Sequence, residues 1–221
     1  MVRDERFASR VRITEIFHSL QGEAATAGTP TVFVRLTGCP LRCHYCDTAY
    51  AFHGGASWTV ADVLAEVARY PARHVCVTGG EPLAQREACL TLLTALCDGG
   101  HAVSLETSGA LSIAGVDTRV SRVVDLKTPG SGEDGRNDWT NLDELTPHDQ
   151  IKCVLSDRAD YVWAAEQIRS RDLAGRCMIW FSPVHQRLDP RRLAEWILED
   201  GLPVRLQLQL HKLLWNDAAG H

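Results

Sequence analysis

The feature that most limits how this chain folds is a series of short, nearly continuous apolar runs separated by helix-patterned segments. The runs are TVFVRLT (31–37), HVCVT (74–78), AVSLE (102–106), VSRVVDL (120–126), QIKCVL (150–155), CMIWF (177–181) and VRLQLQL (204–210). Most lack strict apolar–polar alternation, which suits strands covered on both faces. Between several of them lie helices with legible ends. Thr59 caps TVADVLAEVARY with Asp62 three residues on, and Val60, Val63, Leu64 and Val67 share one face. PLAQREACLTLLTALCDGG ends on glycine, RADYVWAAEQIRS forms a third helix, and DPRRLAEWILEDG carries Asp189 as N-cap, Pro190 in the first turn and Gly201 at its close. Strand, helix, strand in series implies parallel pairing with right-handed crossovers. About six or seven strands are too few for an eight-fold barrel, so an open or partial α/β barrel is expected, in one domain over residues 1–221, acting at the C-terminal ends of its strands.

Composition removes several function classes. At 45% hydrophobic and 23% charged residues the chain builds a real core, and a net charge of -5 offers no global field for nucleic acid or an anionic membrane. The opening MVRDERFASRVR lacks the apolar run of a signal peptide, and no stretch reaches the length of a membrane span. A cytoplasmic location is the expectation. Five of the eight cysteines, Cys76, Cys89, Cys97, Cys153 and Cys177, sit singly among apolar neighbours and read as reduced core residues.

The other three stand together. TGCPLRCHYCDTAY (37–50) places Cys39, Cys43 and Cys46 in a C-x3-C-x2-C pattern directly after the first of these runs. Three thiolates suit a zinc site completed by His44 or His53, or an iron–sulfur cube with one iron left open to a small molecule; the spacing favours the cube. A second candidate motif fails on chemistry. GSGEDG (130–135) has the G-x-G-x-x-G form, but Glu133 and Asp134 would face a pyrophosphate and no apolar helix follows, so the 128–141 loop is expected to edge a site or lie exposed.

Cys39-Pro-Leu-Arg-Cys43-His-Tyr-Cys46, with an aromatic before the last cysteine, resembles the signature of radical S-adenosylmethionine (SAM) enzymes. In that superfamily three cysteines hold a 4Fe-4S cluster whose open iron chelates SAM. Thr78-Gly79-Gly80-Glu81-Pro82, after the next strand, resembles the GGEP motif that meets the SAM amino group; glycines let backbone approach a ligand and a carboxylate suits an ammonium. Across nearly the whole chain, FHSLQGE (17–23), FVRLTGC (33–39), CDT (46–48), VTGGEP (77–82), LETSG (105–109), DLKTPGSGE (125–133) and QLQLHK (207–212) are similar to the 7-carboxy-7-deazaguanine synthase family.

That resemblance implies a shortened radical SAM barrel with a short N-terminal substrate-binding extension. It implies contraction of 6-carboxy-5,6,7,8-tetrahydropterin to 7-carboxy-7-deazaguanine with release of ammonia, in 7-deazapurine (queuosine) biosynthesis, with SAM regenerated and Mg2+ assisting. By the same resemblance Leu20, Gln21, Gly22, Glu23, Arg35, Thr78, Gln209 and His211 face the substrate, and Thr48 holds Mg2+. Tyr45, Cys46, Asp47, Gly80, Glu81, Ser108, Asp125, Leu126, Lys127 and Ser182 face SAM. Strict alternation places Arg205, Gln207, Gln209 and His211 on one face of the last strand, turned either to solvent or inward; the family pattern favours inward for Gln209 and His211. An external electron donor such as flavodoxin and a homodimer are further family expectations, with no direct nucleic-acid or membrane partner. The chain runs on through LLWNDAAGH, which puts a substrate contact by the last residue in doubt. Two rivals remain: a glycyl-radical activating enzyme, which would lack FHSLQGE, Arg35 and the CDT threonine, and a non-catalytic Cys3His zinc module.

Overall fold

The computed structural model describes residues 5–216. Among these residues one nine-stranded sheet runs in the order β3-β1-β2-β4-β5-β6-β7-β8-β9. Its parallel part is β2 (Pro30–Leu36), β4 (His74–Gly79), β5 (Ala102–Thr107), β6 (Ser121–Asp125), β7 (Gln150–Leu155), β8 (Met178–Pro183) and β9 (Arg205–Leu206). Each of the apolar runs therefore contributes a strand in chain order, the last over only two residues, and the sheet is an open, partial barrel.

Two further strands extend the sheet beyond β2 through antiparallel pairing, and neither carries a continuous apolar run. β1 (Arg10–Leu20) pairs with both β2 and β3 (Ala56–Thr59). Its sequence RVRITEIFHSL mixes charge with apolar residues because only part of it faces the core: Val11 and Ile13 are buried while Arg10 and Arg12 are exposed. The N-terminal segment that carries LQGE is thus an integral strand leading into a loop.

The helices form where local chemistry placed them. α1 (Val60–Val67) opens on a complete Thr59–Asp62 capping box. α2 (Arg86–Asp98) follows a single helical turn at Pro82–Gln85. α3 (Arg158–Ser170) is capped by Asp157, and α4 (Pro190–Asp200) starts under Asp189 and stops at Gly201 in the left-handed conformation. A short α5 (Leu210–Trp215) ends the described chain. No helix among the described residues is long and apolar enough to cross a membrane.

These helices bury the outward faces of the strands. Val63, Val67, Leu92 and Leu96 join Val32, Val34, Val75, Val77, Val103 and Leu105 in one core cluster. Tyr161, Ala164, Ile168 and Leu193 join Ile151, Cys153, Leu155, Ile179 and Phe181 in a second. Cys76, Cys89, Cys153 and Cys177 are buried free thiols as expected, and Cys97 is half-buried. Because side chains alternate across a strand, the residues between those apolar ones point the other way, into the barrel. Register partners on parallel strands face the same side, so Arg35 stands beside Thr78 and Asp125 beside Lys152. Polar side chains interleaved in buried strands thereby become the wall of a cavity.

Candidate active site

The cavity, of about 440 Å³, opens at the C-terminal ends of the parallel strands. Cys39, Cys43 and Cys46 lie on one side of it, and Leu20, Gln21, Gly22 and Glu23 on another. Arg35, Tyr45, Asp47, Thr48, Thr78, Gly80, Ser108, Asp125, Lys127, Gln209 and His211 also line it, so most of the expected site residues converge on a single space.

The cysteine loop is braced by backbone and loop contacts. Gly38 carbonyl accepts from Glu81 N–H at 2.7 Å, and Leu36 carbonyl from Gly80 N–H at 3.1 Å. A Cβ on Gly80 would sit 2.2 Å from the Gly38 carbonyl oxygen and 3.0 Å from Cys39 Cβ, so the glycine pair is what lets the end of β4 touch the cysteine loop. From the other side, His44 N–H donates to the Ser131 carbonyl at 3.0 Å and the His44 ring covers Gly132. The 128–133 stretch is therefore a brace for the cysteines at the edge of the site. Arg42 stacks on Phe52 at 4.2 Å and donates to the carbonyls of Cys39 and Leu41.

All three thiols are partly exposed and free. Burial pushes each above its ordinary value, Cys43 to about 11, while the Lys127 ammonium pulls in the opposite direction. Cys39 Sγ already accepts a bond from Leu41 N–H at 3.4 Å, the kind of contact that stabilises a ligating thiolate. Among the described residues no three His, Cys, Asp or Glu side chains are placed to hold a single metal ion, and His44 and His53 are exposed. That geometry does not supply the Cys3His zinc reading. A four-iron cage is larger than one ion and needs its thiolates around an open space, and all three cysteines line the one cavity.

Charged side chains in the cavity wall come in pairs. Lys152 Nζ lies 2.5 Å from Glu23 Oε2 and 4.0 Å from Asp125 Oδ2, and Lys127 Nζ lies 2.8 Å from the same Asp125 oxygen. Burial raises the Glu23 carboxyl, but Lys152 and the Gln209 amide outweigh it and hold it low; burial likewise lowers Lys152, and Glu23 and Asp125 outweigh it and hold it charged. Glu106 accepts from Thr78 Oγ1 at 2.9 Å and from Gln21 Nε2 at 3.3 Å. Arg35 donates from Nε to Glu15 at 2.7 Å, and Tyr50 OH donates to the same carboxylate.

Four expectations need correction. Glu81 does not face the cavity: it is fully buried, and its two oxygens accept from Leu83 N–H, Thr107 Oγ1, Ser108 N–H and Ser108 Oγ. It shapes the wall instead of meeting a ligand, because the helical turn starting at Pro82 draws its side chain inward to cap that turn. Leu126 packs in the second core cluster, and its N–H is taken by the Lys152 carbonyl. Ser182 is buried beneath the wall; Val184, His185 and Gln186, just beyond it, are the lining residues there. Finally β9 ends at Leu206, so Gln207, Gln209 and His211 are not a strand stripe: Gln207 and Gln209 reach the 21–24 loop by side-chain bonds, and His211 lies in α5.

Lys152 and His185 line the cavity without having been singled out. Lysine inside QIKCVL was the available signal, since a cation in a buried strand demands an anion opposite.

Residues 33–125 match the model of the radical SAM superfamily. A protein from Chlorobaculum tepidum named 7-carboxy-7-deazaguanine synthase is 46% identical over 214 residues, covering 95% of this chain and 97% of its own length. One of the same name from Koribacter versatilis is 45% identical over 220 residues, covering 93% and 97%. The chain belongs to the 7-carboxy-7-deazaguanine synthase family. Among solved structures the crystal structure of QueE from Escherichia coli superposes with a TM-score of 0.75 at 25% identity, over 91% of this chain and 95% of that one. The fold is also shared with TYW1, at a TM-score of 0.53 and 14% identity over 77% of this chain and 73% of that one.

As a 7-carboxy-7-deazaguanine synthase of the radical SAM superfamily, the enzyme employs a 4Fe-4S cluster and SAM. The residues fit both groups. Besides the open thiols, Asp125 Oδ1 is buried at the cavity without a hydrogen-bond partner, an acceptor free for a ligand hydroxyl, and Tyr45 lines the same cavity.

Proposed function

We propose that this chain contracts 6-carboxy-5,6,7,8-tetrahydropterin to 7-carboxy-7-deazaguanine with loss of ammonia, as a single radical SAM domain in which β1 and its loop form the substrate-binding element. The observation that carries the reading is that the cysteine triad and the LQGE loop line the same cavity. The cluster with SAM, when bound, supplies the hydrogen-abstracting radical that starts the rearrangement. The overall conversion needs no net oxidant, so the task of the chain is to bind, orient and exclude water.

Cys39, Cys43 and Cys46 hold the cluster. Tyr45, Gly80, Asp125 and Lys127 hold SAM: the Tyr45 ring offers a stacking surface, Lys127 a cation for a carboxylate and Asp125 Oδ1 an acceptor for a hydroxyl. Gln21, with Thr78 and Glu106 bonded to one another around it, offers the alternating donors and acceptors that read a pterin edge. Arg35 and Lys152 are the cations available to the substrate carboxylate. Thr48 is the Mg2+ ligand in this reading; its hydroxyl donates to Asp47 Oδ1 at 2.9 Å and would rotate to offer its oxygen to the ion, which keeps most of its waters. An acidic one-electron donor such as flavodoxin, a homodimeric assembly and a cytoplasmic setting complete the proposal.

The test is anaerobic. The reconstituted, reduced protein is given SAM and the tetrahydropterin acid with and without Mg2+, and the product is followed by mass-resolved chromatography. Formation of 7-carboxy-7-deazaguanine, abolished by Cys43→Ala, is the expected result; SAM cleavage with the pterin untouched would overturn the substrate and keep the superfamily.

A further inference from the structure

The stretch 207–212 touches two parts of the site that are far apart in sequence. Gln207 grips Ala24 at both backbone groups, accepting from its N–H at 2.9 Å and donating to its carbonyl at 3.2 Å. Ala24 has φ +62°, a left-handed backbone that alanine rarely adopts, so these bonds hold a conformation the residue would leave if released. Gln209 Nε2 donates to Glu23 at 2.7 Å, Leu210 N–H donates to the Gly22 carbonyl at 3.0 Å, and the His211 ring lies so close over Gly22 that a Cβ there would meet Nδ1 at 2.1 Å. One residue further, Lys212 Nζ lies 3.2 Å from Asp47 Oδ2. Asp47 is bonded covalently to Cys46 on one side and Thr48 on the other. Lys212 itself is 11% exposed, so its ammonium is aimed at the site and not at solvent.

We propose that Lys212 is a positioning residue that couples substrate binding to cofactor binding. The strap 207–212 is ordered by the substrate loop at one end, and through the Lys212–Asp47 ion pair it fixes the Cys46–Thr48 corner of the cysteine loop at the other. A ligand seated on Gln21–Glu23 therefore stabilises the arrangement that SAM also needs, and by reciprocity SAM stabilises the substrate loop. The chemistry of the strap supports this: its ties to the 22–24 loop are mostly side-chain bonds, the one from Gln209 reaching the cavity-lining Glu23, while the sheet holds the stretch only at its start, where Gln207 N–H donates to the Phe181 carbonyl at 2.9 Å. The inference rests on the proposed pterin-acid substrate.

The experiment uses the reconstituted enzyme with its cluster oxidised, so that nothing turns over. The SAM dissociation constant is measured by anaerobic calorimetry alone and with saturating 6-carboxypterin, the unreactive aromatic acid, for the wild type, Lys212→Met and Lys212→Arg. The wild type is expected to bind SAM about 5-fold to 20-fold more tightly with the pterin acid present, the usual size of a coupling between sites. In Lys212→Met that ratio falls to near one while each ligand still binds alone, and Lys212→Arg restores most of it. A simple loss of structure would weaken both ligands in all conditions without selectively erasing the ratio; cluster content and circular dichroism identify that case, and Asp47→Asn then gives the same reading from the other end. An undiminished ratio in Lys212→Met and Asp47→Asn, or a wild-type ratio of one, overturns the proposal. A wild type that binds SAM but shows no heat with 6-carboxypterin sinks the substrate assignment instead.

Discussion

Replacing Glu23 with glutamine tests the charge arrangement of the cavity most directly. Glu23 and Lys152 are only 10% and 12% exposed, so their 2.5 Å contact is shielded from solvent. Removing one partner of a buried pair costs about 3–5 kcal/mol. Glutamine keeps an oxygen that can accept from Lys152 or Gln209, and Asp125 remains 4.0 Å from the ammonium, so the cost falls to or just below the bottom of that range, about 2–3 kcal/mol. In a chain of this length that is a fall in Tm of about 4 to 12 °C. The pH dependence follows from the two directions. The Glu23 carboxyl is held below its ordinary value of 4.5, so its stabilisation is present above 4.5 and is lost as pH falls through the folded-state value. Lys152 is held above 10.5, so its share is present below 10.5 and is lost only as pH rises past the higher folded-state value. The difference between wild type and Glu23→Gln should thus be flat from mildly acidic to mildly basic pH and shrink below 4.5. Thermal melts of the reconstituted proteins at neutral pH give the size, and melts of the cluster-free chains across the acid range give the shape. A variant melting within about 1 °C of wild type at neutral pH, or a gap undiminished in acid, would refute this account of the pair.

Cys43→Ala should abolish the charge-transfer absorbance of the cluster and SAM cleavage while leaving far-ultraviolet circular dichroism intact, because Cys43 is a half-buried loop residue. Since burial pushes the Cys43 thiol up to about 11, reconstitution of the wild type is expected to speed up with each unit of rising pH near neutrality, by up to about tenfold as the thiolate fraction grows; a rate independent of pH would contradict the burial argument. Gly22→Ala should push His211 off the substrate loop, the new Cβ lying 2.1 Å from Nδ1, and weaken 6-carboxypterin binding at least about tenfold, about 1.4 kcal/mol, with a small change in Tm; unchanged calorimetric affinity would show that His211 is dispensable there. Glu81→Gln sets an amide against the donors Thr107, Ser108 and Leu83 in a fully buried position, with an expected loss of about 2–4 kcal/mol and weakened SAM binding, read by melting and calorimetry.

What could be read from the sequence divides along a physical line. Helix ends were legible because capping is local: Thr59 with Asp62, and Asp189 with Gly201, act within a turn of their own residues. Parallel strands were legible because burial on both faces writes itself as an unbroken apolar run. β1 escaped because it is half-covered near an edge, so its apolar residues are interrupted by exposed charges. Within the site, motifs gave positions along the chain but not directions in space. GGEP correctly marked where β4 meets the cysteines, yet Glu81 turns into the core to cap the turn that Pro82 begins, and Leu126 and Ser182 lie one step off the cavity face. The alternation assigned to 205–211 assumed a strand that in fact ends after two residues, although Gln207 and Gln209 still meet the N-terminal loop and His211 still covers it.

The pairing of charges explains how one cavity can take both a zwitterionic cofactor and an anionic substrate. Glu23 faces Lys152, Asp125 faces Lys127, and Arg35 faces Glu15, so each buried cation is matched before any ligand arrives. An isolated buried charge would be neutralised by a shifted pKa or would disrupt the fold. With partners in place Lys127 and Lys152 stay protonated and Glu23 ionised, and an incoming carboxylate enters an existing pair instead of meeting a bare charge. In the proposed reading selectivity then depends on geometry: a ligand would offer its charges at the spacing of these pairs while its neutral edge meets Gln21, Thr78 and Glu106. A molecule with the same net charge but another spacing would strand a buried lysine or carboxylate without its partner, at a cost of several kcal/mol. The pairs thus keep the open barrel folded while it is empty and reject wrongly shaped anions when it is filled.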